Sequence, residues 1–166
     1  MRFALDAKRD QDIASRLAQI FEKACKKVSI FPEENTLIVK VCSKELVKFL
    51  QMYVEYKVDK NNQKEKKIVV GRDWSSNFQY GLLAGIIDSD GHVHKHLGTE
   101  IKTVSSSTFK AILNMLNNLG IVAKTKRRKS TENSYSKKDC YAIYIPSLQM
   151  RIYEDKIPSV KIKRFC

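Results

Sequence analysis

The sequence predicts an α+β protein built from a duplicated helix–strand–turn–strand–helix unit. Three observations predict it. Apolar residues recur at helical spacing in two separated stretches, a pair of β-branched runs follows each, and a serine then precedes another apolar helical stretch at the corresponding place in both halves. At 166 residues the chain has the length of one ordinary domain or two small ones.

In order, Arg2 to Asp6 is a short strand-like piece. Ile13, Leu17, Ile20, Phe21 and Ala24 share a helical face, with Asp10 and Asp12 near the start, where the helix dipole favours acid. Val28 to Phe31 reads as a strand, Pro32 to Asn35 as a turn and Thr36 to Cys42 as a second strand. Ser43 then caps a helix carrying Leu46, Val47, Phe49 and Leu50. Lys57 to Lys67 is dense in Lys, Asn, Gln and Glu, which reads as a solvated connector. The expected organisation is a partial first repeat over 1–56, a polar linker over 57–76 and a complete repeat over 77–166 with a basic tail.

The second half repeats the order. Phe109, Ile112, Leu113, Leu116 and Leu119 form a helical face capped from Ser105 to Ser107, and Gly120 closes it. Ile121 to Arg128 is a strand, Lys129 to Asp139 a long turn and Cys140 to Ile145 the next strand. Ser147 holds the position of Ser43, before Leu148, Met150 and Ile152. Unlike the first copy, this one is preceded by a further helix and hairpin, Phe78 to Val104. The first copy has one strand-like piece in that place.

Charge narrows the partners. With 31 Lys+Arg against 18 Asp+Glu the net charge is +13, which points to a polyanion, nucleic acid before an anionic membrane surface. The two halves, divided after Ser76, carry +5 and +8. Basic residues lie on predicted strands and turns rather than along an amphipathic helix, against a membrane role. Gly81 to Ile87, the longest nearly apolar run, is far short of the ~20 residues a spanning helix needs. The start, Met1 to Asp6, has no apolar h-region. Cys25, Cys42, Cys140 and Cys166 lie far apart without a C-x-x-C pair, against a zinc ribbon, and read as buried free thiols in a reducing compartment. An intracellular, cytoplasmic protein is expected.

Phe78 to Ile87 is the segment that carries chemistry. Gly81 and Gly85 fall four apart on one face, and each costs a helix about 1 kcal/mol relative to alanine. Close approach of a second backbone explains them, with Ala84 and Asp88 assigned to the same contact surface. Asp88 and Asp90 end this helix, where its dipole favours cations. A divalent metal would offset them, and so would local hydrogen bonding of Asp88 with Asp90 in a turn. His92, His94 and His96 alternate, as a metal cluster or as groove-facing side chains. Lys124, Lys126 and Arg128 alternate too and share a strand face suited to phosphates. Trp74 and the tyrosines read as core or strand residues.

The string Leu83-Ala84-Gly85-Ile86-Ile87-Asp88-Ser89-Asp90-Gly91 closely resembles the LAGLIDADG motif of homing endonucleases, departing by Ile for Leu and Ser for Ala. The resemblance covers 77 to about 155 well, and 2 to about 55 as a copy without its motif helix and first strand. It implies αββαββα repeats whose saddle-shaped antiparallel sheet lies in the DNA major groove, with two motif helices packed through their glycines. It implies Asp90 as the Mg²⁺ ligand beside the scissile phosphate, Asp88 as the structural aspartate and Lys126 as the assisting cation, with Lys124 in reserve. It implies DNA contacts from His94, His96, Lys102, Lys124 and Arg128, while the faces of Thr99, Glu100 and Lys102 await the register. The expected function is metal-dependent cleavage of specific duplex DNA by a free-standing, intein or intron enzyme. With one motif here, the second comes from a homodimer or a separate N-terminal fragment. The alternative is a non-catalytic DNA-binding protein or an RNA maturase on the same fold.

Overall fold

The computed structural model describes residues 2–24, 27–58, 64–68, 74–129 and 139–164. They divide into two units, Met1–Tyr53 and Val54–Cys166.

The first unit runs β1 (Arg2–Asp6), α1 (Gln11–Ala24), β2 (Val28–Glu33), β3 (Thr36–Val41) and α2 (Lys44–Gln51). Asp6 makes the corner into α1, its Oδ1 accepting from the amides of Lys8 and Arg9 at 2.9 Å each. Those bonds, Arg9 first, hold its carboxyl below the ordinary range. β3 lies between β1 and β2, antiparallel to both, with Phe3 and Ile30 opposite Val39. Phe3 meets α1 by stacking on Phe21, ring centroids 5.3 Å apart. The helix buries Ile13, Ala14 and Ala18. Ile20, counted above with the apolar face, is 51% exposed, the stripe buried by α1 running through Ile13, Ala14 and Ala18 instead. Ser43 caps α2 as expected, accepting from the Leu46 amide at 3.1 Å.

The second unit opens with β4 (Val54–Val58) and β5 (Lys64–Ile68), paired antiparallel from Val54 opposite Ile68 to Val58 opposite Lys64. This corrects the reading of 57–76 as a linker. Val54, Tyr56 and Val58 alternate as a strand does, and backbone pairing tolerates the charged residues between them. Residues 59–63 and 69–73 lie outside the described residues. Then come α3 (Ser76–Asp90), β6 (Gly91–His94), β7 (Gly98–Thr103), α4 (Ser106–Asn118), β8 (Lys124–Arg128), β9 (Cys140–Pro146), α5 (Ser147–Tyr153) and α6 (Val160–Lys163).

From α3 to α5 this is αββαββα, on an antiparallel sheet of order β6-β7-β9-β8. Without α3 and β6, the order β7-β9-β8 with its helices matches β1-β3-β2 in the first unit. The duplication legible in the patterning is thus a duplication of topology.

Leu83 and Ile87 of α3, Ile112, Met115 and Leu116 of α4, and Ile101, Ile143 and Ile145 of the sheet form the core. Gly120 takes φ +71° after α4, with Ile121 N bonded to Leu116 O at 2.8 Å and Gly120 N to Asn117 O at 3.1 Å. This Schellman closure holds Ile121, so the strand expected from Ile121 begins at Lys124. Most of the predicted turn after it, 130–138, lies outside the described residues. Ser147 is not the cap that Ser43 is: it is the first helical residue, and Pro146 ahead of it makes no side-chain cap bond. Cys42 is exposed and Cys140 half-buried, which corrects the reading of buried thiols, while Cys25 and Cys166 lie outside the described residues. No described helix is long and apolar enough to cross a membrane.

Candidate nucleic-acid interface

The acidic end of α3 is built by two aspartates in different surroundings. Asp88 is half-buried and takes three hydrogen bonds from the start of α6: its Oδ1 accepts from Ser159 Oγ at 2.6 Å and Lys161 N at 3.0 Å, its Oδ2 from Val160 N at 3.0 Å. A carboxylate that is disfavoured at one helix's C-terminus is thereby satisfied by the free amides of another's first turn. Lys161 closes the same corner, its Nζ donating to Gly91 O at 3.1 Å and Ser89 O at 3.5 Å. Gly91 is needed for close approach, since a Cβ there would lie 2.6 Å from Ile87 O.

Asp90 stands two residues on, exposed at the last helical position, with no ion pair or hydrogen bond to a described residue. An exposed carboxylate without a protein partner suits a hard divalent cation. It does not complete a site, because both oxygens of Asp88 are engaged and no group of three or more His, Cys, Asp or Glu that could hold a metal occurs among the described residues. The chain therefore fits a metal shared with other oxygen donors.

Gly81 and Gly85 lie exposed on α3, and a Cβ at either would meet nothing within 4 Å among the described residues. Ala84 and Asp88, assigned above to the same surface, are less exposed than the glycines, Asp88 half-buried and Ala84 buried. Ala84 is buried in the unit's own core with Leu83 and Ile87, and Asp88 turns to α6.

The register settles the sheet faces. His92, Glu100, Tyr144 and Lys124 form one row across the four strands, and Lys102, Ala142 and Lys126 the next. Cross-strand partners share a side, so Glu100, Lys102, Lys124, Lys126 and Arg128 lie on one face with His92 and His94. Thr99, Ile101 and Ile143 point to the core. Arg127 also takes the opposite face, bonded to Asp139 at 2.6 Å with its guanidinium 5.7 Å from the Tyr141 ring centre. Lys124, Lys126 and Arg128 are all exposed. On the face they share, Lys102 pairs with Glu100 at 2.9 Å.

Two expectations change. His96 lies in the turn after β6, not on the strand with His92 and His94, so the three imidazoles do not share a strand face. His92 and His94 do meet, ring centres 4.2 Å apart and edge to face. Lys126 is on β8, three strands from β6, or about 14 Å at ordinary strand spacing. Of the two strand lysines, Lys102 is nearer the acidic corner, since its neighbour Ile101 pairs with Gly91, the residue after Asp90, while Lys161 already holds the carbonyls on either side of Asp90. The hairpin register would have found it, and a strand sequence alone does not fix register.

An αββαββα unit with an acidic motif-helix end and a basic sheet face defines a LAGLIDADG homing-endonuclease fold. Residues 74–152 match the family model described as homing endonuclease. Among solved structures, the chain is similar to I-DmoI in complex with DNA and Mn, with a TM-score of 0.60 and 18% identity over 95% of this chain and 79% of that one. It is similar to I-DmoI with DNA and Ca, with a TM-score of 0.64 and 16% identity over 97% and 75%. Mesophilic variants of the homing endonuclease I-DmoI give a TM-score of 0.63 at 14% identity, over 94% and 79%. Comparison with curated protein sequences gives no match.

Proposed function

We propose that this chain is a sequence-specific LAGLIDADG endonuclease that cleaves duplex DNA with a divalent metal, Mg²⁺ in the cell. The observation that carries the proposal is Asp90, an exposed carboxylate with no described partner at the corner of a basic sheet. The similar I-DmoI structures contain DNA with Mn or Ca, which supports both partners. Lys126 and Arg128 hold the DNA backbone, while the paired strands of the sheet enter the major groove. Asp90 would hold the metal, whose other oxygen donors would come from outside the described residues. When bound, that ion activates water and offsets charge on the leaving oxygen. Lys102 stabilises phosphate charge from the neighbouring strand, and the Asp88–α6 bonds fix the direction in which Asp90 leaves the helix.

Cutting both strands takes a second acidic motif end. It is supplied by another copy of this chain or by a separate fragment, packed along Gly81 and Gly85. This reading puts the protein inside the cell beside its DNA. One observation favours a second reading, a non-catalytic DNA-binding protein or RNA maturase: the described residues hold a single motif end of this kind.

The test is to capture duplexes from a random-sequence library and incubate them with the protein, with and without Mg²⁺. Scission only with Mg²⁺ supports the endonuclease. Specific capture without scission selects the binding protein, and preference for structured RNA over duplex selects the maturase.

A further inference from the structure

Glu100 is the carboxylate on a sheet face that also carries Lys102, Lys124, Lys126 and Arg128. Its side chain is 14% exposed, and it holds the Lys102 ammonium at 2.9 Å and the Tyr144 hydroxyl. A carboxylate ionised at neutral pH has no proton to give, so Tyr144 is the donor of their hydrogen bond. The hydroxyl has one proton and that proton is committed, so towards solvent the Tyr144 oxygen offers only lone pairs. Directly across the ladder from Tyr144 is Lys124, whose ammonium offers only donors. The two border a concavity of about 350 Å³ whose walls include His94, Leu97, Glu100 and Pro146.

A fixed acceptor beside a fixed donor is a complement to a base edge rather than to a phosphate, which has no donor to give. In the major groove each base pair offers a single exocyclic amine, cytosine N4 or adenine N6, with acceptors next to it. We infer that Glu100, Tyr144 and Lys124 form a base-reading site in which Tyr144 accepts from the amine of cytosine or adenine, Lys124 donates to the neighbouring acceptor, and Glu100 acts as the positioning residue that keeps Tyr144 an acceptor. The inference rests on the duplex-DNA reading above. Its consequence is a rule of chemical class: one position on one strand of the target carries an amino base and excludes the keto bases thymine and guanine.

The experiment is selection of duplexes from a random library by the full chain, comparing wild type, Glu100→Gln and Tyr144→Phe. Wild type should enrich C or A over T or G at one position by about tenfold or more, the usual cost of one mismatched pair. Glu100→Gln, whose amide can donate to the phenol and free its proton, should admit T or G there while the other positions keep their preference. Tyr144→Phe keeps the ring and should make that one position indifferent. Profiles of both variants identical to wild type would overturn the inference and leave the DNA reading standing. So would a uniform loss across all positions in both variants, which would mean a merely structural cluster. Wild type that enriches no sequence would overturn the DNA reading and the inference together.

Discussion

Asp88 and Asp90 lie two residues apart on one helix, yet their removal should have opposite effects on stability. Asp88 is tied by three bonds at 2.6, 3.0 and 3.0 Å to the first turn of α6. A hydrogen bond to a charged group contributes about 1.5–3 kcal/mol net, and water reaching this half-buried corner replaces part of it. Asp88→Ala should therefore cost about 3 kcal/mol, near the upper end for a lost helix cap plus one further bond. In a chain of this size that is a fall in Tm of roughly 9 °C. Asp88→Asn keeps one acceptor and should fall between. Asp90 has no described partner and opposes the dipole of its own helix, so Asp90→Asn should change stability by between nothing and about +1 kcal/mol. The assay is thermal unfolding followed by circular dichroism without divalent cations. The reasoning is refuted if Asp90→Asn melts as far below wild type as Asp88→Ala, or if Asp88→Ala melts within about 2 °C of wild type.

Four further outcomes follow. Gly81→Ala and Gly85→Ala meet open space and should each raise the stability of the unassociated chain by up to about 1 kcal/mol, while weakening any self-association seen by light scattering. Gly98→Ala should cost about 3 kcal/mol or more in denaturant unfolding, since its φ is +102° and its Cβ would lie 2.1 Å from Ile145 O. Lys126→Ala or Arg128→Ala should each reduce the slope of log affinity for duplex DNA against log salt by about 1, an unchanged slope marking a side chain that touches no phosphate. Burial pushes the Glu100 carboxyl up but is outweighed by the Tyr144 bond, Lys102 and Arg128, which leave it below its ordinary value of 4.5. A lowered carboxyl stabilises the fold above the unfolded pKa and loses that contribution as pH falls through the folded one. Wild type should therefore lose stability more steeply than Glu100→Gln as pH drops below about 4.5, and parallel acid-unfolding curves would count against the cluster.

Much of the fold is legible in the sequence because each repeat keeps a local grammar. Ser43 and Ser105 are caps where the pattern puts them, and Gly120 ends α4 in the left-handed conformation that glycine there signals. Ser147 broke the analogy because Pro146 occupies the cap position. The β4–β5 hairpin was hidden by composition, its alternating Val54, Tyr56 and Val58 outnumbered by lysines and asparagines. Asp90 was found through the motif around it, and its exposed setting is seen only in three dimensions. Which cation stands near it was not legible, because Lys102 and Lys126 look alike on their strands until the strand order places one beside β6 and the other at the far edge. Ala84, three residues from Gly81, packs into the unit's own core, which was not legible for a similar reason. A short, nearly all-apolar helix does not announce which of its sides meets its own core.

The central claim is that Asp90 serves cleavage and not binding. It is tested most directly by comparing wild type and Asp90→Asn on the same captured duplex with Mg²⁺, scoring binding and strand scission in parallel. The account predicts that wild type cuts, while the variant binds with undiminished affinity and leaves the DNA intact. A variant that cuts as wild type does would contradict it.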